Sequence, residues 1–253
     1  MMETADAIGA SQAAAYVSGR PDYPVALDEW LRRDLGLGEG KVAIDLGAGT
    51  GKFLPRLLAA GAEVIAIEPS VAMRSQLKAL FPQVDAREGR AQAMPLADGS
   101  VDAVICAQCF HWFANHEALE EIRRVLKPGG SLGLVWNIRD ATTPWVASLI
   151  EIMAPYDPGT PDYESQEWRR AFLTNGFSEL REHTFSNPQV GRPERVVIDR
   201  VLSVGSIAKL PRIERDRVIA RVQEVIDHTP ELAGKPEITF PNTTYAYDCR
   251  VCV

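Results

Sequence analysis

The sequence predicts an α/β fold, a doubly wound and mostly parallel sheet with helices on both faces. Three observations predict it. Between Lys41 and Trp136 five short apolar segments alternate with helix-length stretches. Those stretches are long enough for the crossover connections that parallel strands require. No run rich in proline, glycine or serine divides the 253 residues, so one domain over 1–253 is expected.

The elements follow in order. Arg20-Pro21-Asp22-Tyr23-Pro24 reads as a turn, and Leu27, Trp30 and Leu31 at i, i+3, i+4 give the next helix an apolar face. Residues 1–40 are thus an N-terminal arm and helix. A ligand-binding core is expected over 41–140. Its first strand, 42–44, ends at Asp45, and a helix over about 52–60 is closed by Gly61. Residues 64–67 form the second strand, 71–80 a helix, 84–87 a third strand and 101–105 a fourth. The helix after that carries Leu119, Ile122, Val125 and Leu126 on one face. Lys127-Pro128-Gly129-Gly130 stops it, since proline cannot continue a helix and glycine suits the left-handed cap. Residues 132–136 are the fifth strand. Beyond Asp140, helices are expected at 145–153, 167–174, 192–202 and 214–227, with strands near 180–185 and 243–251. Residues 141–253 therefore read as an inserted helical cap plus the last two strands.

Composition excludes several functions. Lysine plus arginine number 27 against 34 acidic residues, a formal charge of −7. So acidic a chain is a poor binder of nucleic acid or anionic membranes. No apolar run approaches the roughly 18–20 residues of a membrane helix. The N-terminal segment carries Glu3 and Asp6 and no base before Arg20, unlike a secretory signal or transit peptide. Four cysteines do not make a disulfide scaffold. A cytoplasmic monomer or homodimer is expected, without nucleic-acid or membrane partners.

The stretch Asp45-Leu46-Gly47-Ala48-Gly49-Thr50-Gly51-Lys52-Phe53 links a strand to a helix, where doubly wound sheets hold ligands. Three loop types compete for it. The phosphate loop G-x-x-x-x-G-K-[ST] finds Leu46 at its first glycine and Phe53 at its hydroxyl, and fails. A dinucleotide G-x-G-x-x-G finds Lys52 at its sixth position. Gly47-x-Gly49-x-Gly51 fits throughout. Asp45 at the strand end repels a pyrophosphate and suits a cationic amino group. S-adenosylmethionine carries such an amine, and its own carboxylate can use backbone N–H groups. Glu68, ending the second strand, is placed to accept both ribose hydroxyls.

On these residues the chain resembles the class I S-adenosylmethionine-dependent methyltransferases, and among them the trans-aconitate-methyltransferase-like small-molecule group. The resemblance runs through Tyr16 and residues 20–24, 45–51, 68–69, 89–95, 108–113, 127–130, 136–140 and 244–250. It implies a Rossmann-like sheet of seven strands, the last one antiparallel. It also implies S-adenosylmethionine as methyl donor and S-adenosylhomocysteine as product. Asp45, Gly47, Ala48, Gly49, Gly51, Glu68 and Pro69 would hold the donor, with Ala91, Gln92 and the Ala107-Gln108 turn beside its adenine. Arg90 and Gln92 stand where the family often has an acid, which leaves the adenine amino group to Gln92's carbonyl or the backbone.

Transfer from a sulfonium needs alignment more than proton traffic. Positioning is worth roughly 7–11 kcal/mol, a general base about 10²–10⁴-fold. His111, after the fourth strand, is expected as a base or acceptor contact; plain packing with Trp112 is the bland alternative. Arg139, after the fifth strand, and Arg20, in the arm that the resemblance places over the site, suit a carboxylate acceptor, which needs a cationic clamp and no base. Tyr16, Tyr23, Trp112, Trp136 and Asn137 complete the expected acceptor contacts. Cys106-x-x-Cys109 and Cys249-x-x-Cys252 look like zinc knuckles. The resemblance puts a strand between the pairs, about 9.6 Å over two spacings, too far for one ion. No metal is expected, and the thiols read as buried. The function expected is methyl transfer to a small organic acceptor, a carboxylate among the candidates, by direct displacement. The alternatives are a non-catalytic S-adenosylmethionine-binding protein and an NAD(P)-dependent oxidoreductase, against which Asp45 and Lys52 argue.

Overall fold

The computed structural model describes residues 19–252 except 158, 160 and 175, and except the side chains of 173 and 174. Tyr16 lies outside the described residues. The first five strands are β1 (Val42–Leu46), β2 (Glu63–Ile67), β3 (Asp85–Arg87), β4 (Val101–Ala107) and β5 (Leu126–Arg139). Then come β6 (Arg181–Ser186), β7 (Gln189–Gly191), β8 (Ile238–Phe240) and β9 (Asn242–Arg250). Seven of them form one sheet in the order β3-β2-β1-β4-β5-β9-β6. The first five pair in parallel, and β9 runs antiparallel to both β5 and β6. Strand order reverses between β1 and β4, and in open α/β sheets that reversal opens a crevice at the carboxyl ends.

Successive residues of a strand face opposite sides, and the sequence uses both. On one side Ala43, Ala103, Ile105 and Val135 pack against α1 (Leu27–Arg33), α2 (Leu54–Ala60) and Leu77 of α3 (Val71–Leu80). On the other, Ile44, Val104, Leu132, Leu134 and Trp136 meet Leu119, Ile122 and Val125 of α4 (His116–Val125). Ser70 and Asn115 cap the starts of α3 and α4, accepting from Met73 N at 3.4 Å and Ala118 N at 2.9 Å. The cap has its own apolar centre, built by α5 (Pro144–Met153), α6 (Asp199–Leu202), α7 (Gly205–Ala208) and α8 (Arg212–His228).

The structure departs from the pattern in four places. The fifth strand begins at Leu126, and Lys127–Gly130 loop out between the partners of Val101 and Ala103. Residues 167–174 are 3₁₀, because apolar residues at 168, 171 and 172 suit an i+3 ladder as well as an i+4 one. The expected helix over 192–202 is a π turn (Glu194–Ile198) running into α6. The ribbon of β7 and β8 has no counterpart in the expected elements; three-residue strands leave too short an alternation to register.

The far edge of the sheet is fastened at Asp248, on β9 opposite Gly133. A Cβ on Gly133 would lie 2.7 Å from Leu35 and 3.0 Å from Trp30, so glycine there lets α1 lie close on the sheet. Trp30 Nε1 then donates to Asp248 Oδ1 at 3.1 Å. His183 Nε2 meets the same oxygen at 2.8 Å, while Arg181 grips Oδ2 through Nε and Nη2. The pairing of β6 with β9 is what brings His183 to this partner. Asp248 is 1% exposed and Trp30 2%, so removing the carboxylate strands the buried indole N–H and weakens the hold on the part-buried His183, while the more exposed Arg181 turns to water. Asp248→Ala is expected to lower the unfolding free energy by about 3 kcal/mol, and Trp30→Phe by about 1 kcal/mol, read from urea denaturation curves.

Candidate active site

The site starts where β1 runs out. Asp45 is the fourth residue of a buried five-residue strand and is 1% exposed. The loop after it folds back on β2: Gly47 N and Ala48 N both donate to Ile67 O, at 2.8 and 3.1 Å. Gly47, Gly49 and Gly51 have φ of +71°, +58° and +88°. At Gly47 the requirement is double, because a Cβ there would also sit 2.9 Å from Cys109 Sγ. Glu68, at the end of β2, takes Gly49 N on Oε2 and Ser70 N on Oε1, each at 2.8 Å. Its carboxylate thus shapes the glycine loop from below.

Asp45 is different. Both of its carboxylate oxygens are buried with no hydrogen-bond partner among the described residues. Burial, and then the charge of Glu68, push its pKa up to about 7. An uncompensated buried carboxylate costs free energy unless a cation or donor meets it. The glycine loop leaves that place open: a cleft of about 480 Å³, open mouth included, lies beside Asp45, Gly47, Ala48 and Gly49.

The cleft's other walls come from far along the chain. Ala107 and Gln108 leave β4, with Gln108 at a φ of +62°, a conformation that non-glycine residues seldom adopt. Gln108 Nε2 donates to Asn137 O at 2.9 Å, which holds the turn. Arg20, Pro21 and Tyr23 of the arm form the roof, and Tyr23 sits edge-on to Phe53 at 4.8 Å. Lys52 pairs with Asp22 at 3.0 Å, and Arg20 Nη2 reaches Ser203 O at 3.5 Å. Arg200 of α6, a residue that sequence reasoning missed, completes the wall. It is 2% exposed and donates to Asn242 Oδ1 at 3.3 Å. Its only signal was a cation inside the apolar run Val196-Val197-Ile198-Asp199-Arg200-Val201-Leu202.

The remaining expected residues fall around this cleft in different ways. Gly51 closes the loop's turn, donating to Ala48 O at 2.9 Å. Pro69 follows Glu68 and is half-buried, Ala91 is buried in the core and Gln92 is exposed beside it. Trp112 is 53% exposed, with its ring 5.4 Å from that of His111. Asn137 lines the cleft, but its amide serves the roof. Nδ2 donates to Pro21 O and Asp22 O at 3.5 and 3.4 Å, while Oδ1 accepts from Thr244 Oγ1 at 2.5 Å and Asn187 Nδ2 at 3.1 Å. Trp136 is a correction. As the neighbour of Asn137 on β5 it faces the opposite side, fully buried against Tyr163, Trp168 and Tyr247. It reaches the site only through its indole nitrogen, which donates to His111 Nδ1 at 3.0 Å.

His111, Arg139 and Arg20 are brought together electrostatically. Burial, with Arg20 adding to it and Asp162 opposing, pushes the pKa of His111 down to about 4. Burial and the charge of Arg20 push that of Arg139 down to about 10, against Glu164 and Asp157. Arg139 Nε is buried without a hydrogen-bond partner among the described residues. Such a group awaits an acceptor. The cysteines do not converge: Cys106 is on β4 and Cys249 on β9, with β5 between. Nor are all four buried as expected. Cys252 is exposed beyond the end of β9, and Cys109 is half-buried under the glycine loop, its thiol donating to Leu46 O at 3.0 Å.

A family model described as a methyltransferase domain matches residues 44–134. An uncharacterised methyltransferase-like protein of Schizosaccharomyces pombe is 40% identical over 235 residues, 92% of this chain and 91% of its own. A candidate type II methyltransferase of Anaeromyxobacter dehalogenans shares the fold, with a TM-score of 0.67 at 22% identity over 91% of this chain and 96% of that one. Geranyl diphosphate methyltransferase, solved in complex with S-adenosylmethionine, gives a TM-score of 0.50 at 16% identity over 88% and 84%.

The buried Asp45 leaves a measurable trace. In the folded chain it keeps its proton up to about pH 7, in the unfolded chain only to about 4. Between these values the folded state binds more protons, so unfolding free energy falls as pH rises through that window. Without ligand, the protein is expected to lose up to about 4 kcal/mol between pH 4 and 7 from this group. Asp45→Asn should remove that part of the slope in urea denaturation curves taken across the window.

Proposed function

Since this chain belongs to the class I S-adenosylmethionine-dependent methyltransferases, we propose that it methylates a carboxylate of a small organic acid, with S-adenosylmethionine as the donor. One observation carries the donor assignment: the orphaned carboxylate of Asp45 beside the Gly47–Gly51 loop is the partner that an amino-acid ammonium group requires. The residues present fit that donor. Asp45 would hold its ammonium, the N–H groups of the glycine loop its carboxylate, and Glu68 its ribose hydroxyls, while Ala91 and the Ala107-Gln108 turn flank the adenine. Gln92, exposed, offers an amide at the rim. When bound, the donor supplies an electrophilic methyl on a sulfonium: the acceptor oxygen forms the C–O bond as the C–S bond breaks, and sulfur keeps the electron pair.

The acceptor assignment rests on charge. Arg20 and Arg200 line the cleft, and Arg139 lies near enough to Arg20 for the two charges to oppose each other. A carboxylate needs no deprotonation at neutral pH, and guanidinium groups bind it in a fixed orientation. The chain's own work is then to orient the anion and exclude water. Tyr23, Pro21 and Asn137 contribute by closing the roof. The reading covers both rivals in one pair of measurements. In calorimetry S-adenosylhomocysteine is expected to bind and NADH not, with Asp45→Asn weakening binding about tenfold or more; NADH binding alone would overturn the donor assignment. With labelled methyl donor and a panel of carboxylic acids, phenols and amines, label is expected in methyl esters. Arg139→Ala should raise KM for the acid about 10–100-fold with little change in kcat; binding without any transfer would leave a non-catalytic binder.

A further inference from the structure

We propose that Trp136 locks His111 as a fixed hydrogen-bond donor toward the acceptor, so that His111 orients an anion and takes no proton from it. The proposal rests on the carboxylate reading above and deepens it: the lock makes the site selective for acceptors that arrive already ionised.

The geometry is one-directional. An indole nitrogen only donates, and it points at His111 Nδ1 from 3.0 Å. Nδ1 must therefore offer its lone pair, and a neutral ring then carries its proton on Nε2. Trp136 cannot turn away. It is fully buried on β5, with ring centroids of Trp168 and Tyr163 at 4.8 and 5.1 Å and Tyr247 edge-on at 6.0 Å. Protonating His111 would set an Nδ1–H against the indole N–H, donor against donor, at a buried contact. The charged groups facing the ring do not reverse this. Arg20 of the arm opposes a second positive charge, Asp162 favours it, and burial outweighs both, which places the pKa of His111 near 4.

A general base must present a lone pair to the proton it removes, and the lone pair of His111 is already taken. A hydroxyl or amine acceptor finds no base in this side chain. A carboxylate needs none, and receives from Nε2–H a hydrogen bond in addition to those of the arginines. Trp136 is thus a positioning residue, acting only through His111.

The test reads the imidazole nitrogens by NMR in the full-length protein labelled with ¹⁵N-histidine, without ligand, from pH 5 to 9. His111 is expected as a single Nε2–H tautomer that does not titrate in this range. In Trp136→Phe it should show both tautomers and titrate nearer the ordinary value of about 6.5. An Nδ1–H tautomer, or titration near 6.5 in the unaltered protein, overturns the lock. Because Trp136 is deep in the core, a second pair of variants reads the role without disturbing it. His111→Gln, which keeps an N–H near the Nε2 position, is expected to raise KM several-fold and cost kcat less than tenfold. His111→Leu should raise KM tenfold or more. A loss of 100-fold or more in kcat for His111→Gln identifies a base and overturns the proposal. The spectra need no acceptor, so a failure to methylate any carboxylate would sink the acceptor assignment while the tautomer is decided separately.

Discussion

A carboxylate held out of water without a counter-charge governs this site. Asp45 belongs to β1, the strand around which the parallel sheet is built, and the burial that orders the strand also strips the carboxylate of solvent. Nothing in the described protein compensates it. The glycine loop above is shaped by Glu68 rather than by Asp45, so the two acids differ: Glu68 already accepts two backbone N–H groups, while neither oxygen of Asp45 has a hydrogen-bond partner among the described residues. A stable sheet carries a destabilised group where chemistry requires it, which is the usual location of such strain.

The second organising contact is Asn137. Its amide joins β9 through Thr244, the segment after β6 through Asn187, and the arm through Pro21 and Asp22. The last residues of β5 thus hold the roof as well as the wall. Trp136, one position earlier, carries the aromatic stack on the opposite side and touches His111. Two adjacent residues, aimed apart by the pleat, thus act on opposite sides of the sheet, one on the roof of the cleft and the other on His111.

The sequence made the donor half legible because that half is local. Asp45 and the Gly47–Gly51 turn fall within seven consecutive residues, and Glu68 closes the next strand. Strand and helix periods over 42–136 carried the sheet for the same reason. The acceptor half was illegible because sequence-distant contacts assemble it. Arg20 meets Ser203, Arg200 meets Asn242, and His111, just after β4, meets Trp136 on the neighbouring β5. Position after a strand named His111 and Arg139, and the resemblance named Arg20, but neither could tell that Trp136 faces away from the cleft, since one residue of register decides the face. Arg200 carried no motif at all. The unforeseen ribbon and the π turn belong to the cap, where elements are short and their apolar patterns ambiguous.

The roof and the floor are joined by different kinds of bond. The floor is a backbone ladder, indifferent to which side chains it carries. The roof is fastened by a handful of side-chain amides and ion pairs, Asn137, Asn187 and Lys52 among them. Substitutions in the arm and cap that spare these fastenings can therefore accumulate without unsettling the sheet, so the lining that Arg20 and Arg200 give the cleft is freer to change than the Asp45 strand end and its glycine turn.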